Sequence, residues 1–427
     1  IFDFFNRKPL KSGFHYTTCQ NWTLTNYMKT SDFYLIYLIL YIPFGKLFYE
    51  YLNIQWSDEL LSVILGLYFI LKSTHKGKLY ISKELIFFIA IVLFYIIYSI
   101  LLHKVLIQAI LFDVLQQFKP YITFYATLFL KPQFSDKQSK FLRTYIIFIF
   151  FTYVIISIII NRVFDIASFG QSCLICSFIY WYFSKDTKQN MIIIIIMMTI
   201  GLLCFKSKYY GEYIIFFTLL FIIHKRLQLR SPKTFIALIL LGCIILFFTW
   251  EKFNFYYVEG LQESQNGSGL ARPISYLTAI KILNDYCPFG SGLGSFSVEA
   301  ARTFYSPLYY EYQIDHVWGL SPDNPAFLAD AFYPSLAEMG FVGILLFIIF
   351  WRKRYKEIYS ISNLKFYKIG LLCLCTLLLE SIADTTYLSG TGMAYFMFLA
   401  LCINKKIAKV PNNPSSPKTH KIPSSQI

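Results

Sequence analysis

A succession of apolar runs, most of them about 15 to 20 residues long, leaves this chain few folds to choose from. Runs such as Leu85–Leu102 and Met191–Phe205 are apolar on every side of a helix rather than along one stripe. Such a helix has no polar face to offer water, and its length matches a hydrocarbon core. The chain is therefore expected to be all-α, a polytopic helical membrane protein. Candidate spans fall at 33–49, 59–72, 84–102, 114–130, 142–160, 168–183, 190–205, 212–224, 234–250, 336–351, 366–380 and 387–403. About 12 transmembrane helices would then divide the chain into five parts. These are a cytoplasmic segment 1–31, nine spans within 32–250, one large periplasmic loop 251–335, three spans within 336–404, and a disordered cytoplasmic tail 405–427 rich in Pro, Ser and Lys. The two halves show no repeat, which counts against the inverted repeats common in transporters. No cleavable signal peptide is evident, and the first residue is Ile1 rather than Met, which leaves open whether the native N-terminus is present.

The formal net charge is +15, which in a soluble chain would suggest nucleic acid. Here lysine and arginine collect between alternate spans, as cytoplasmic loops require. Threading from a cytoplasmic N-terminus puts 29 of the 39 Lys and Arg inside, leaving 10 outside or towards the outer ends of spans. That asymmetry sets the orientation, with 251–335 outside. Most of the nine cysteines lie within apolar runs and act as small hydrophobes. Cys173 and Cys176 have redox or zinc spacing, yet sit inside a span with no histidine or second pair nearby, so a structural role is expected. Cys287 alone lies in the large loop, which argues against a disulfide framework there.

The loop holds nine carboxylates (Glu251, Glu259, Glu263, Asp285, Glu299, Glu311, Asp315, Asp323, Asp330) against four cations (Lys252, Arg272, Lys281, Arg302), a balance of −5. It is also crowded with Tyr, Phe and Trp. Carboxylates hydrogen-bond hydroxyls and aromatic faces stack on sugar rings, so the mixture suits a carbohydrate better than a polyanion. The plainer reading is a solvated loop with interfacial aromatic anchors. Arg272 stands out because Pro273 follows it and an amphipathic run, Ile274 to Tyr286, comes next. A helix start with a guanidinium offers free N–H groups, a positive dipole end and a bidentate fork for phosphate; a snorkelling surface arginine is the alternative. Lys208, in Lys206-Ser207-Lys208-Tyr209, is a second outer cation or else a boundary lysine. Gly290–Gly294 has the look of a dinucleotide loop, but no strand precedes it and it lies outside. His316, the loop's single histidine, is a poor metal ligand by itself and at most a proton carrier.

These features together resemble the bacterial O-antigen polymerase and ligase family. The resemblance rests on Gly269-Leu270-Ala271-Arg272 with its helix and Pro288-Phe289-Gly290-Ser291-Gly292-Leu293-Gly294-Ser295-Phe296. It rests also on Asp330-Ala331-Phe332-Tyr333 running into Leu336-Ala337-Glu338-Met339-Gly340 and Gly343, and more weakly on Lys206-Ser207-Lys208. It spans roughly residues 165–350. Where ligases carry a His-Asn pair this chain has Ala329-Asp330, which fits a polymerase better. The resemblance implies a glycosyltransferase of the inner membrane that joins undecaprenyl-pyrophosphate-linked oligosaccharides, in lipopolysaccharide or capsule synthesis, at the periplasmic face. No metal, cofactor or nucleic acid is expected; membrane lipid, a chain-length regulator and a flippase are the implied partners. Arg272 would stabilise the departing pyrophosphate, helped by Lys208 and Arg302, and Asp330 would be the base, with Asp323 and His316 behind it. Tyr276 and Tyr333 complete the expected substrate-binding set. A carboxylate at 330 could instead cap the incoming helix or pair with Arg272 or Arg302. The alternatives are a ligase that moves glycan to lipid A core, a lipid-linked oligosaccharide flippase, or a non-catalytic scaffold. A flippase should place ionisable residues inside its spans, where few are expected here, and everything after the loop is expected to be anchor.

Overall fold

The computed structural model describes residues 28–42, 57–75, 83–161, 163, 167–227, 231–260, 262 and 269–405. The expected N-terminal segment before 28, the tail beyond 405 and residues 43–49 of the first candidate span lie outside the described residues. Within them the chain is all-helical, with no strand.

Each apolar run is helical where it is described. In chain order the long helices are α1 (Thr30–Ile42), α2 (Ser57–His75), α3 (Lys83–Leu102), α4 (Ile107–Leu130), α5 (Asp136–Ile159), α6 (Ala167–Phe183), α7 (Lys188–Gly201), α8 (Ser207–Phe217) and α9 (Pro232–Phe253). After these come α10 (Ala271–Asp285), the short α11 (Glu299–Thr303), α12 (Leu308–Glu311) and α13 (Phe332–Ser335), then α14 (Gly340–Tyr359), α15 (Leu364–Glu380) and α16 (Gly390–Ile403). Among the described residues, three stretches are long and apolar enough to cross a membrane: Lys83–Leu102, Asp136–Ile159 and Ile239–Tyr256.

Two kinds of apolar helix emerge. In α16 every residue is buried; it is the central post, packed against α4, α15 and α6. The stretch 239–256 is the opposite case, with none of its window buried, and Phe247 and Phe248 point outward. A contiguous apolar face of this kind is not kept open to water. The tenth candidate span begins later than expected. Residues 332–338 form a short helix and a 3-10 turn, and the long helix starts at Gly340.

The chain between α10 and α14 makes its own small core from Ile274, Ile282, Phe296, Val298, Leu308, Tyr309 and Leu320. It is fastened to the bundle by the glycine segment. Gly290, Gly292 and Gly294 all have positive φ, a conformation that costs any residue with a Cβ. A Cβ on Gly290 would stand 2.3 Å from the Ala337 carbonyl oxygen. The backbone gains close docking in return. Gly292 N–H donates to the Glu338 carbonyl at 3.0 Å, Leu293 N–H to Ser99 Oγ at 2.7 Å and Gly294 N–H to Asp113 Oδ2 at 3.0 Å. The Glu338 side chain, 0% exposed, accepts from Ser295 N–H at 2.6 Å and Phe296 N–H at 2.8 Å.

Candidate functional site

Arg272 occupies the first turn of α10, whose buried face (Ala271, Ile274, Ser275, Thr278, Ala279, Ile282) follows helical spacing. That face docks the helix and leaves the Arg272 side chain at the bundle edge, 15% exposed. Its Nε donates to Asp330 Oδ2 at 2.6 Å, and the guanidinium carbon lies 4.7 Å from the centre of the Tyr256 ring. Of the roles open to Asp330, pairing with Arg272 is what the geometry shows; the N-cap of α13 is Ala331, with no side-chain cap.

A second ion pair joins Lys208, in the first turn of α8, to Asp384. Asp384 lies in the turn between α15 and α16, and two of the expected aromatic residues reach this turn or the last turn of α15 just before it. Tyr276 donates its hydroxyl to the Ile382 carbonyl at 2.7 Å, and Tyr333 donates to the Leu378 carbonyl at 2.6 Å. Phe332 stacks on Tyr387 with ring centres 4.2 Å apart. The 378–388 segment thus gathers Lys208, Tyr276 and Tyr333, with the Arg272–Asp330 pair four residues along α10 from Tyr276. The reading of everything after the loop as anchor is corrected here, because this turn supplies a partner to each side of the cluster.

Below it lie carboxylates that the sequence reading passed over. Glu380 accepts from Gln171 Nε2 at 3.1 Å, and the same amide reaches Thr386 Oγ1 at 3.0 Å. Glu212, 4% exposed, lies within electrostatic reach of Glu380, Lys208 and Asp384. Position alone could have flagged them: Glu212 and Glu380 are lone acids at the ends of apolar runs, where charge is costly without a purpose.

The other expected residues are not drawn in. Arg302 pairs with Glu299 one turn back on its own short helix. Asp323 and His316 are exposed on the far part of the loop. Among the described residues no group of three or more His, Cys, Asp or Glu is placed to hold a metal ion. Cys173 and Cys176 are buried in α6, and Cys287 is exposed.

The expectation of few ionisable groups inside the bundle is also corrected. Lys119, midway along α4 and 2% exposed, holds Asp58 and Glu59 of α2 at 2.6 Å each. Asp113, Glu338 and Arg354 are fully buried. Arg354 pairs with Glu84 of α3, whereas Asp113 and Glu338 accept backbone N–H groups of the glycine segment; these partners lie far away in sequence, where no single apolar run shows them.

No family model matches the chain, and no curated protein does.

Proposed function

We propose that the chain is a polytopic inner-membrane glycosyltransferase of the O-antigen polymerase kind, with about a dozen spans and the 251–335 loop periplasmic. It would transfer an undecaprenyl-pyrophosphate-linked glycan onto a hydroxyl of the next lipid-linked unit. The observation that carries this reading is the Arg272–Asp330 pair at the start of α10, beside a second cation, Lys208, held to the 378–388 turn.

The arrangement suits the chemistry through competition. A pyrophosphate oxygen approaching Arg272 competes with Asp330 for the guanidinium, and planar bidentate binding favours the phosphate. Asp330 is released as the substrate enters, becoming free to accept a proton. The acceptor O–H gives that proton to Asp330, its oxygen bonds to the anomeric carbon, and the bond from that carbon to the phosphate oxygen breaks. The leaving pyrophosphate keeps the electron pair, with its charge countered by Arg272 and Lys208. Asp330 then returns the proton to solvent and re-forms its pair.

The buried Lys119–Asp58–Glu59 group favours one second reading, a lipid-linked oligosaccharide flippase, since ionisable groups within a bundle mark transport paths. A gel of surface polysaccharide from a deletion strain separates the readings. Single-repeat caps mark a polymerase and unmodified core with intact free polymer a ligase. Loss of both products marks an earlier step such as flipping.

A further inference from the structure

At the end of the bundle opposite the Arg272 cluster lies a cavity of about 400 Å³. Its walls come from the first two turns of α5 (Asp136, Ser139, Lys140, Arg143), the end of α6 with Lys185, and the first turn of α15 with Lys365; Lys405 follows α16. Lys140, Arg143, Lys185, Lys365 and Lys405 supply five positive charges against Asp136, and Asp186 stands 4.0 Å from Lys365. Loops on the inner side of a membrane protein are basic as a rule, but they ordinarily spread their charge into water. Here four separate segments turn cations onto one hollow. The Arg143 Nε is buried with no hydrogen-bond partner, which is costly for a charged donor unless something visits it. The Lys365 side chain is only 10% exposed. Two helix starts, those of α5 and α15, add the positive ends of their dipoles.

We propose that this cavity is a binding site for a phosphate-bearing anion, distinct from the Arg272 cluster. The fit is chemical: a guanidinium supplies directed N–H donors, the lysines supply point charges, and phosphate oxygens accept from both. Burial, with Arg143 nearby, lowers the Lys365 pKa to about 8 although Asp186 opposes it. A bound anion would reverse that, so binding should draw a proton onto Lys365 near pH 8. A phospholipid headgroup and a soluble phosphate compound share this chemistry. The site does not depend on the polymerase reading, since it shares no residue with that cluster.

The test uses the full chain in a neutral detergent at low salt, with thermal unfolding as the readout. Inorganic pyrophosphate is titrated directly, and phosphatidylglycerol against phosphatidylcholine is compared in nanodiscs. Saturable stabilisation by pyrophosphate in lipid-free detergent assigns a soluble phosphate compound; stabilisation only by phosphatidylglycerol assigns a headgroup. In either case Arg143→Gln and Lys365→Gln should weaken the apparent affinity about tenfold or more, the scale of a lost hydrogen bond to a charged group. Lys137→Gln, an exposed lysine on α5 that does not line the cavity, should leave it unchanged. Should the buried positions fail to fold, the exposed pair Lys140→Gln with Lys185→Gln gives the same comparison. No response to either probe, or an equal loss in Lys137→Gln, overturns the proposal.

Discussion

The Arg272 cluster and the glycine segment lie in the same loop and both use carboxylates, yet in opposite ways. At Arg272 and Lys208 each acid is partly exposed and meets a cation. At Gly290–Phe296 the acids Asp113 and Glu338 are buried and are met by backbone N–H groups. A cation–carboxylate pair at an edge can be opened by a competing anion at modest cost. A buried carboxylate holding two amides cannot be opened without leaving three polar groups unsatisfied. The first arrangement can change partners during a reaction, and the second fixes geometry. A glycine pattern that superficially suggests a phosphate loop is therefore a docking device here, with its N–H groups already spent on the protein.

The comparison breaks most sharply at Glu338. Removing its carboxylate in Glu338→Ala strands the Ser295 and Phe296 amides, at about 1–3 kcal/mol each. The variant should fail to accumulate, or unfold many degrees lower in detergent. Gly290→Ala should do the same by steric conflict with the 337–340 backbone. If Glu338→Ala kept wild-type thermal stability and lost only polymerisation, the two regions would not differ as argued.

At Arg272 the effect should fall on activity instead. If the chain is the polymerase proposed above, Arg272→Ala is expected to fold, to insert, and to lose about 10²–10³ in polymerisation rate, while Arg272→Lys keeps a small residue because charge survives without the fork. Wild-type chain lengths from Arg272→Ala at normal expression would make it a lipid anchor. Asp330→Asn comes next. The amide still accepts from Arg272 but cannot take a proton at neutral pH, so a loss above about 10² is expected with little change in stability. Near-normal chain length in that variant would sink the base assignment.

Much of this was legible in the sequence, and what was not has a common cause. Apolar runs announce helices because a single segment carries the signal, and Arg272 with Pro273 announces a helix start by the same local logic. Asp330 and Lys208 were singled out, but their partners could not be fixed, because the pairs join residues 58 and 176 positions apart. Glu338 sat in plain view inside a stretch noted for its glycines, yet the backbone amides it holds lie 43 and 42 residues earlier. Nothing beside Lys119 in its own run shows its partners; α2 places two acids on it. The turn 381–389 carries no motif; it matters only through what packs beside it.

The smallest effect sets a zero for the comparison. Lys104, after α3, pairs with Glu311 on α12 at 2.8 Å, with side chains 34% and 43% exposed. It clips the small loop core to the bundle, but in water. The hydrogen bond from Lys104 holds the Glu311 carboxyl below its usual range, with a smaller opposing push from partial burial; the same bond, accepted by Glu311, raises Lys104. A depressed acid adds stability that is present above its unfolded pKa of about 4.3 and lost as pH falls through the folded value. A raised lysine adds stability that is full below about 10.4 and lost as pH rises through its folded value. The stability difference between wild type and Glu311→Gln should therefore be flat between about pH 5 and 10 and shrink beyond both ends. Exposure limits it to about 0–1 kcal/mol, and added salt should erode it. A loss as large as that of Glu338→Ala would mean that this clip, rather than the glycine segment, fastens the loop to the bundle.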